Sequence, residues 1–175
     1  DGIKIDATTG KISITIGGTN TALSTSGLSV GAWQHIAVVR TVTTNALVVY
    51  INGVNNTSGS PTQAGTLGIQ AIGATHSTPA KFANSAMSDI KIFSTTLTQS
   101  QVRSIISGTD YVTGLVARWK FNESARSVPS CHDGYSLEFD GVDDRISMTN
   151  QDLSSAFTIS GWIKSDSFTT AQMLI

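Results

Sequence analysis

The chain has 175 residues, with 11 Lys and Arg against 12 Asp and Glu for a formal net charge of −1. Only 13% of residues are charged, about half the usual share of roughly 25%, whereas 23 Ser and 23 Thr supply hydroxyls. This composition offers no basic footprint for nucleic acid, no apolar run near the roughly 18 residues that insert into a membrane, and, with one cysteine, Cys131, no disulfide closed within the chain.

The hydrophobic pattern has a period of two from the start. Gly2–Asp6 alternates, as does Lys11–Ile16, so Ile3 and Ile5 share one strand face and Ile12, Ile14 and Ile16 another. Gly10 and Gly17-Gly18 supply turns between these strands and a third at Thr19–Ser24. Trp33–Thr41 and Ala46–Ile51 are nearly continuous apolar runs, the mark of central strands covered on both faces. Asn52-Gly53 then predicts a tight hairpin, because both residues tolerate the left-handed conformation of a type I′ turn. Residues 55–66 read as a loop, and strands follow near Leu67–Ala74 and Met87–Phe93.

One short helix is predicted near 98–107. Thr98-x-x-Gln101 has the form of a capping box, Val102, Ile105 and Ile106 fall on one face, and Gly108 stops it. After a linker at 109–113, strands resume at Leu115–Phe121, Ser136–Asp140, Arg145–Thr149 and Phe157–Lys164, and Ala171–Ile175 is an apolar stub. Many short strands with one helix indicate an all-β antiparallel sandwich or barrel.

Four segments together resemble the laminin-G-like, concanavalin A-like lectin/glucanase family. They are Gly114–Glu123; Leu137–Ile146 followed by Phe157–Ile163; Trp33–Arg40 leading into Val49–Gly53; and Met87–Phe93 with the capped helix behind it. The resemblance implies a two-sheet antiparallel jelly-roll sandwich. The order of the segments departs from the family: residues 1–108 resemble its C-terminal half and residues 114–175 its N-terminal half, so that 1–175 reads as one permuted sandwich, the alternative being a slice that spans the end of one repeat and the start of the next. Closure within one chain would bring Asp1–Asp6 and Gln172–Ile175 together, with Ile3 and Leu174 in a common core. Closure between chains would instead exchange halves, as in domain swapping.

Functional expectations follow residue by residue. Glu138 and Asp140 share a strand face, and some glycoside hydrolases of this fold pair carboxylates on one strand. Gly141 breaks the strand here, however, and Asp143-Asp144 reads as a hairpin tip, so no enzymatic activity is expected. Asp140, Asp143 and Asp144 offer the oxygen ligands that one structural Ca²⁺ takes, and relatives of this fold often carry such an ion, although Ser88-Asp89 stands where the family commonly has Asp-Glu. Cys131-His132-Asp133 holds nucleophilic residue types but lacks the separate elements from which a triad converges. His35, Trp33, Trp119 and Trp162 fall in strand patterns and are expected in the core, while Tyr111, Tyr135 and Phe168 are the candidates for glycan stacking; His76 is unassigned. Asn56-Thr57-Ser58 and Asn122-Glu123-Ser124 match the glycosylation acceptor pattern. The resemblance implies a carbohydrate-binding or adhesion module, with glycan as partner. The alternative is a structural subunit of an extracellular filament or virus capsid or tail, whose partners are neighbouring copies in a homo-oligomer or polymer. The low charge and abundant hydroxyls suggest an extracellular or virion surface.

Overall fold

The computed structural model describes residues 1–75, 81–121 and 136–175. Thirteen strands and one helix are found among them. In chain order they are β1 (Gly2–Ile5), β2 (Lys11–Ile16), β3 (Thr19–Gly27), β4 (Gln34–Arg40), β5 (Leu47–Ile51), β6 (Val54–Asn55), β7 (Leu67–Ile72), β8 (Asn84–Phe93), α1 (Gln99–Ile106), β9 (Leu115–Trp119), β10 (Leu137–Asp140), β11 (Ile146–Leu153), β12 (Phe157–Ser165) and β13 (Gln172–Met173). All pairings are antiparallel. One sheet runs β13-β1-β2-β3, a larger one runs β10-β8-β12-β4-β5-β6 with β9 also on β8, and β11 pairs with β7. This is the all-β sandwich expected from the period-two pattern.

The main core lies between the sheets. Ile3, Ile5, Ile12, Ile14 and Ile16 from one side meet Ile36, Val38, Met87, Ile92 and Ile159 from the other, all buried. The alternation read from the sequence is thus the alternation of burial: in β1 only Lys4 is less than buried, and it points away from Ile3 and Ile5. The turn residues behave as their chemistry requires. Asn52 and Gly53 have φ of 50° and 72°, and Gly17 and Gly18 have 56° and 79°. The loop expected at 55–66 begins one residue late, because Val54 and Asn55 pair back onto β5 as β6.

Helix α1 covers the opposite face of the larger sheet at one end. Val102 and Ile105 pack with Ala37, Phe93 and Leu97 in a second, smaller cluster. The capping box is made: Gln101 N donates to Thr98 Oγ1 and Thr98 N donates to Gln101 Oε1 at 2.8 Å. The helix is also pinned to the β5–β6 turn, where Gln99 Nε2 and Arg103 Nε both donate to the Gly53 carbonyl.

Two features fix the ends of the sandwich. Arg40, fully buried at the end of β4, donates to the carbonyls of Ser155, Leu153 and Gly65 at 2.7–3.0 Å and lies 4.8 Å above the Phe157 ring. At the other end β1 pairs with β13. Ile3 N donates to Ile175 O at 2.7 Å, Leu174 N returns the bond to Ile3 O, and Ile3, Leu174 and Ile175 share the main core. The apolar stub of the sequence is therefore an edge strand plus two core residues.

Candidate functional site

The larger sheet turns one face to the main core and the other outward. On β12, Ile159 and Ile163 point inward, so Ser160, Trp162 and Lys164 point outward. On β4 the inward residues are Ile36 and Val38, which places His35 outward, with Trp33 two residues before it. Register brings these into rows. Ser88, Trp162 and His35 are cross-strand neighbours, and Glu138 and Lys164 flank Ala86.

Two of the three tryptophans differ from expectation. Trp119 packs against the main core, but Trp162 and Trp33 belong to neither hydrophobic cluster and are half-buried, Trp162 on the outward side of β12 and Trp33 just before β4 begins. The strand parity that buries Ile159 and Ile163 turns the Trp162 indole out. Trp162 is held edge-on by the ring of His35, centroids 5.4 Å apart and planes at 77°. His35 itself is buried, as expected of a packed strand residue.

The loop aromatics are occupied by packing. Tyr111 Oη accepts from Gln101 Nε2 at 2.7 Å, and its ring lies 6.1 Å from Phe93. Phe168 packs against the main core beneath Gly10, where an added Cβ would lie 2.7 Å from the ring. Asn56 is also engaged, since its Nδ2 donates to Ser26 Oγ and its Oδ1 accepts from Ser26 N. Tyr135, His76, Cys131-His132-Asp133 and Asn122-Glu123-Ser124 lie outside the described residues.

Beside this face is an ion network that sequence reasoning missed. Asp89 Oδ2 accepts from Lys91 Nζ at 2.5 Å and Asp89 Oδ1 from Arg118 Nε at 2.6 Å, while Arg118 also reaches Asp110. Asp89 and Lys91 are both buried. Burial pushes the Asp89 carboxyl up, but the hydrogen bonds and charges of Arg118 and Lys91 outweigh it, and the group sits below the ordinary carboxylate range. The backbone adapts to place it. Asp89 has φ of 47°, and the β8–β12 register shifts there, between Ser160 and Trp162.

The acidic turn forms, but it is not the tip of a hairpin: β10 pairs with β8 and β11 with β7, so the turn carries the chain from one sheet to another. Glu138 and Asp140 face outward from β10, opposite Leu137 and Phe139, and Gly141 turns with φ of 82°. Asp140 Oδ1 accepts from Val142 N, and Asp144 Oδ2 accepts from Asp140 N. One carboxylate oxygen from each of Asp140, Asp143 and Asp144 lies within 4.8 Å of the others. Ligands of one Ca²⁺, at about 2.3–2.6 Å, lie no more than about 5 Å apart, so the donor set fits that ion. Oxygen donors alone do not favour zinc.

The fold, its outward aromatic face and the acidic turn can be set against known families. A family model described as the Concanavalin A-like lectin/glucanases superfamily (Laminin_G_3) matches residues 2–103, more than half of the chain. The chain belongs to this superfamily. No curated protein and no solved structure matches it. The superfamily match takes in β1 to β8 and the first half of α1, including Trp33, His35 and Asp89. Trp162 and the acidic turn lie beyond it. The superfamily holds both lectins and glucanases, so the activity has to be read from the site.

Proposed function

We propose that the chain is a non-catalytic carbohydrate-binding or adhesion module that works on an extracellular or virion surface. The observation that carries this reading is Trp162, half-buried on the outward face of the larger sheet and propped by the buried His35. An indole so held presents a rigid π-face, electron-rich and apolar, to the C–H face of a sugar ring. Lys164 and Glu138 nearby supply a donor and an acceptor for hydroxyls, as small-ligand sites do around an apolar platform. Against catalysis stands the setting of Glu138 and Asp140: both are exposed on a short edge strand, and one oxygen of Asp140 already closes the turn that follows it.

The test is a glycan array followed by titration of the best hit. Trp162→Ala is expected to weaken binding roughly thirtyfold, the loss of an aromatic anchor worth about 2 kcal/mol. An array with no competable hit, or a hit indifferent to Trp162→Ala, would end this reading. Hydrolysis of a bound polysaccharide that disappears in Glu138→Gln would overturn the non-catalytic part alone.

A structural Ca²⁺ at Asp140, Asp143 and Asp144 belongs to the same proposal. It would tie the β10–β11 turn at the rim of the larger sheet. With calcium at about a hundred times its dissociation constant, the ion adds about 2.7 kcal/mol. A chelator is therefore expected to lower Tm by roughly 5–11 °C for a chain of this size, and Asp143→Asn should abolish the difference. Identical melting curves with and without chelator would remove the ion.

A further inference from the structure

The second part of the chain has no sheet of its own. Among the described residues β9 and β10 pair with β8, β11 with β7, β12 with β4 and β8, and β13 with β1. No two of these five strands pair with one another. Residues 1–108, by contrast, keep the ladders β1-β2-β3 and β4-β5-β6 within themselves. They also leave a gap between β4 and β8 that β12 fills, with Phe157–Ile163 against Arg40–Gln34 on one side and Thr158–Ser165 against Phe93–Ser85 on the other. Without β12, both strand edges would be bare above an apolar face that includes Ile36, Val38 and Ile92.

The covalent link between the parts runs through residues 107–114, and its contacts are to neighbouring elements. Thr109 N donates to Ser104 O, Ser94 N donates to Gly114 O, Asp110 meets Arg118, and Tyr111 accepts from Gln101 Nε2 with its ring beside Phe93. The link turns through Gly108 and Gly114, at φ of 96° and 74°, and a Cβ on Gly114 would come within 2.6 Å of Thr95. Opening this hinge breaks those contacts, the packing of Tyr111 included, and leaves every β ladder available to be remade. The segment whose sequence fits the gap between β4 and β8 is residues 114–175, and a second copy carries the same segment.

We propose that the chain exchanges residues 114–175 between copies, each copy's β12 entering the gap between the β4 and β8 of its neighbour. The exchanged form uses the contacts already described, so it requires no new surface. Reciprocal exchange closes a dimer, and sequential exchange builds a polymer.

The test uses two full-length copies, both with Cys131→Ser, one carrying Lys4→Cys and the other Met173→Cys. Lys4 and Met173 are cross-strand partners, so their Cα atoms lie about 4.5–5.5 Å apart, within the range a disulfide spans. The copies are unfolded, mixed, refolded together at high concentration and oxidised. The expected product is a disulfide-linked heterodimer, with a dimer-to-monomer ratio that rises about tenfold for each tenfold rise in concentration while dimer is scarce. Gly114→Val, whose side chain the closed turn cannot take, should raise that ratio further. A single chain carrying both cysteines is the control. If it closes on itself while the mixture yields no heterodimer at any concentration, exchange is overturned. Should Met173→Cys fail to fold, the unmodified protein carries the test by sizing after refolding. A dimer that returns to monomer on dilution only after unfolding supports exchange, and monomer at every concentration overturns it.

Discussion

Asp89→Asn is expected to lower folding stability by about 3–5 kcal/mol, the cost of removing one partner from a buried ion pair and leaving the other charge without compensation. Lys91 is that other charge, 2% exposed. Asparagine isolates the effect, because it is nearly isosteric and tolerates the positive φ of this position as well as aspartate does. For a chain of this size the fall corresponds to a Tm lower by roughly 6–20 °C. The pH dependence has a definite sign. The native carboxyl sits below its ordinary range, so between the two values the folded protein binds fewer protons than the unfolded chain. Its contribution is complete above the unfolded value of about 3.9 and is lost as the pH falls through the lower native value. Urea unfolding from pH 7 down to pH 3 should therefore show a shallower acid limb in the variant. A loss below about 1 kcal/mol, or an unchanged acid limb, would mean that the network is not coupled to folding.

Arg40→Ala should be of similar size, about 3–4 kcal/mol, for a different reason. No carboxylate is at stake. The fully buried side chain fills space over Phe157 and gives four charge-assisted hydrogen bonds to three carbonyls. Truncation opens a cavity and strips those carbonyls of their donors. Arg40→Lys tests the mechanism, because a single ammonium cannot reproduce a planar fork reaching three separate acceptors. It should recover less than half of the loss in calorimetry or urea titration. Full recovery by lysine would show that charge alone, rather than the fork, holds the ends of β11 and β12 to β4.

Both positions show where sequence reading stops. Alternation was enough to place Ile3, Ile5, Ile12, Ile14 and Ile16, because a half-buried strand writes its inner face at every second residue. The same parity, followed through Ile159 and Ile163, turns Trp162 outward. That signal was present in the sequence, and the usual tendency of tryptophan to lie in strands obscured it. Asp89 could not be found in this way. From Met87 to Ile90 the inward pattern skips, and only the register of β8 against β12 shows that a bulge lifts Asp89 into reach of Arg118, 29 residues away. Arg40 is a polar residue closing an apolar run, which reads equally well as a strand end in solvent. Its burial depends on loops more than a hundred residues later. The turn at Asp140–Asp144 was legible because its chemistry is local, but not that it joins two sheets rather than two paired strands, because the partners of β10 and β11 are distant in sequence; the same distance hid the packing partners of Tyr111 and Phe168.

The gap between β4 and β8 also has a history in time. The 57 residues from Thr109 to Ser165 must be made before β12 is complete, which takes roughly 3–11 s at translation rates of about 5–20 residues per second. Throughout that interval the nascent chain carries two long strand edges with nothing between them. Pairings so distant in sequence also form slowly, on a scale of milliseconds to seconds. On a polysome, successive nascent chains bring open gaps and newly made β12 segments close together. A chaperone that shields bare strand edges thus has its natural place of action during synthesis, before the sheet is filled.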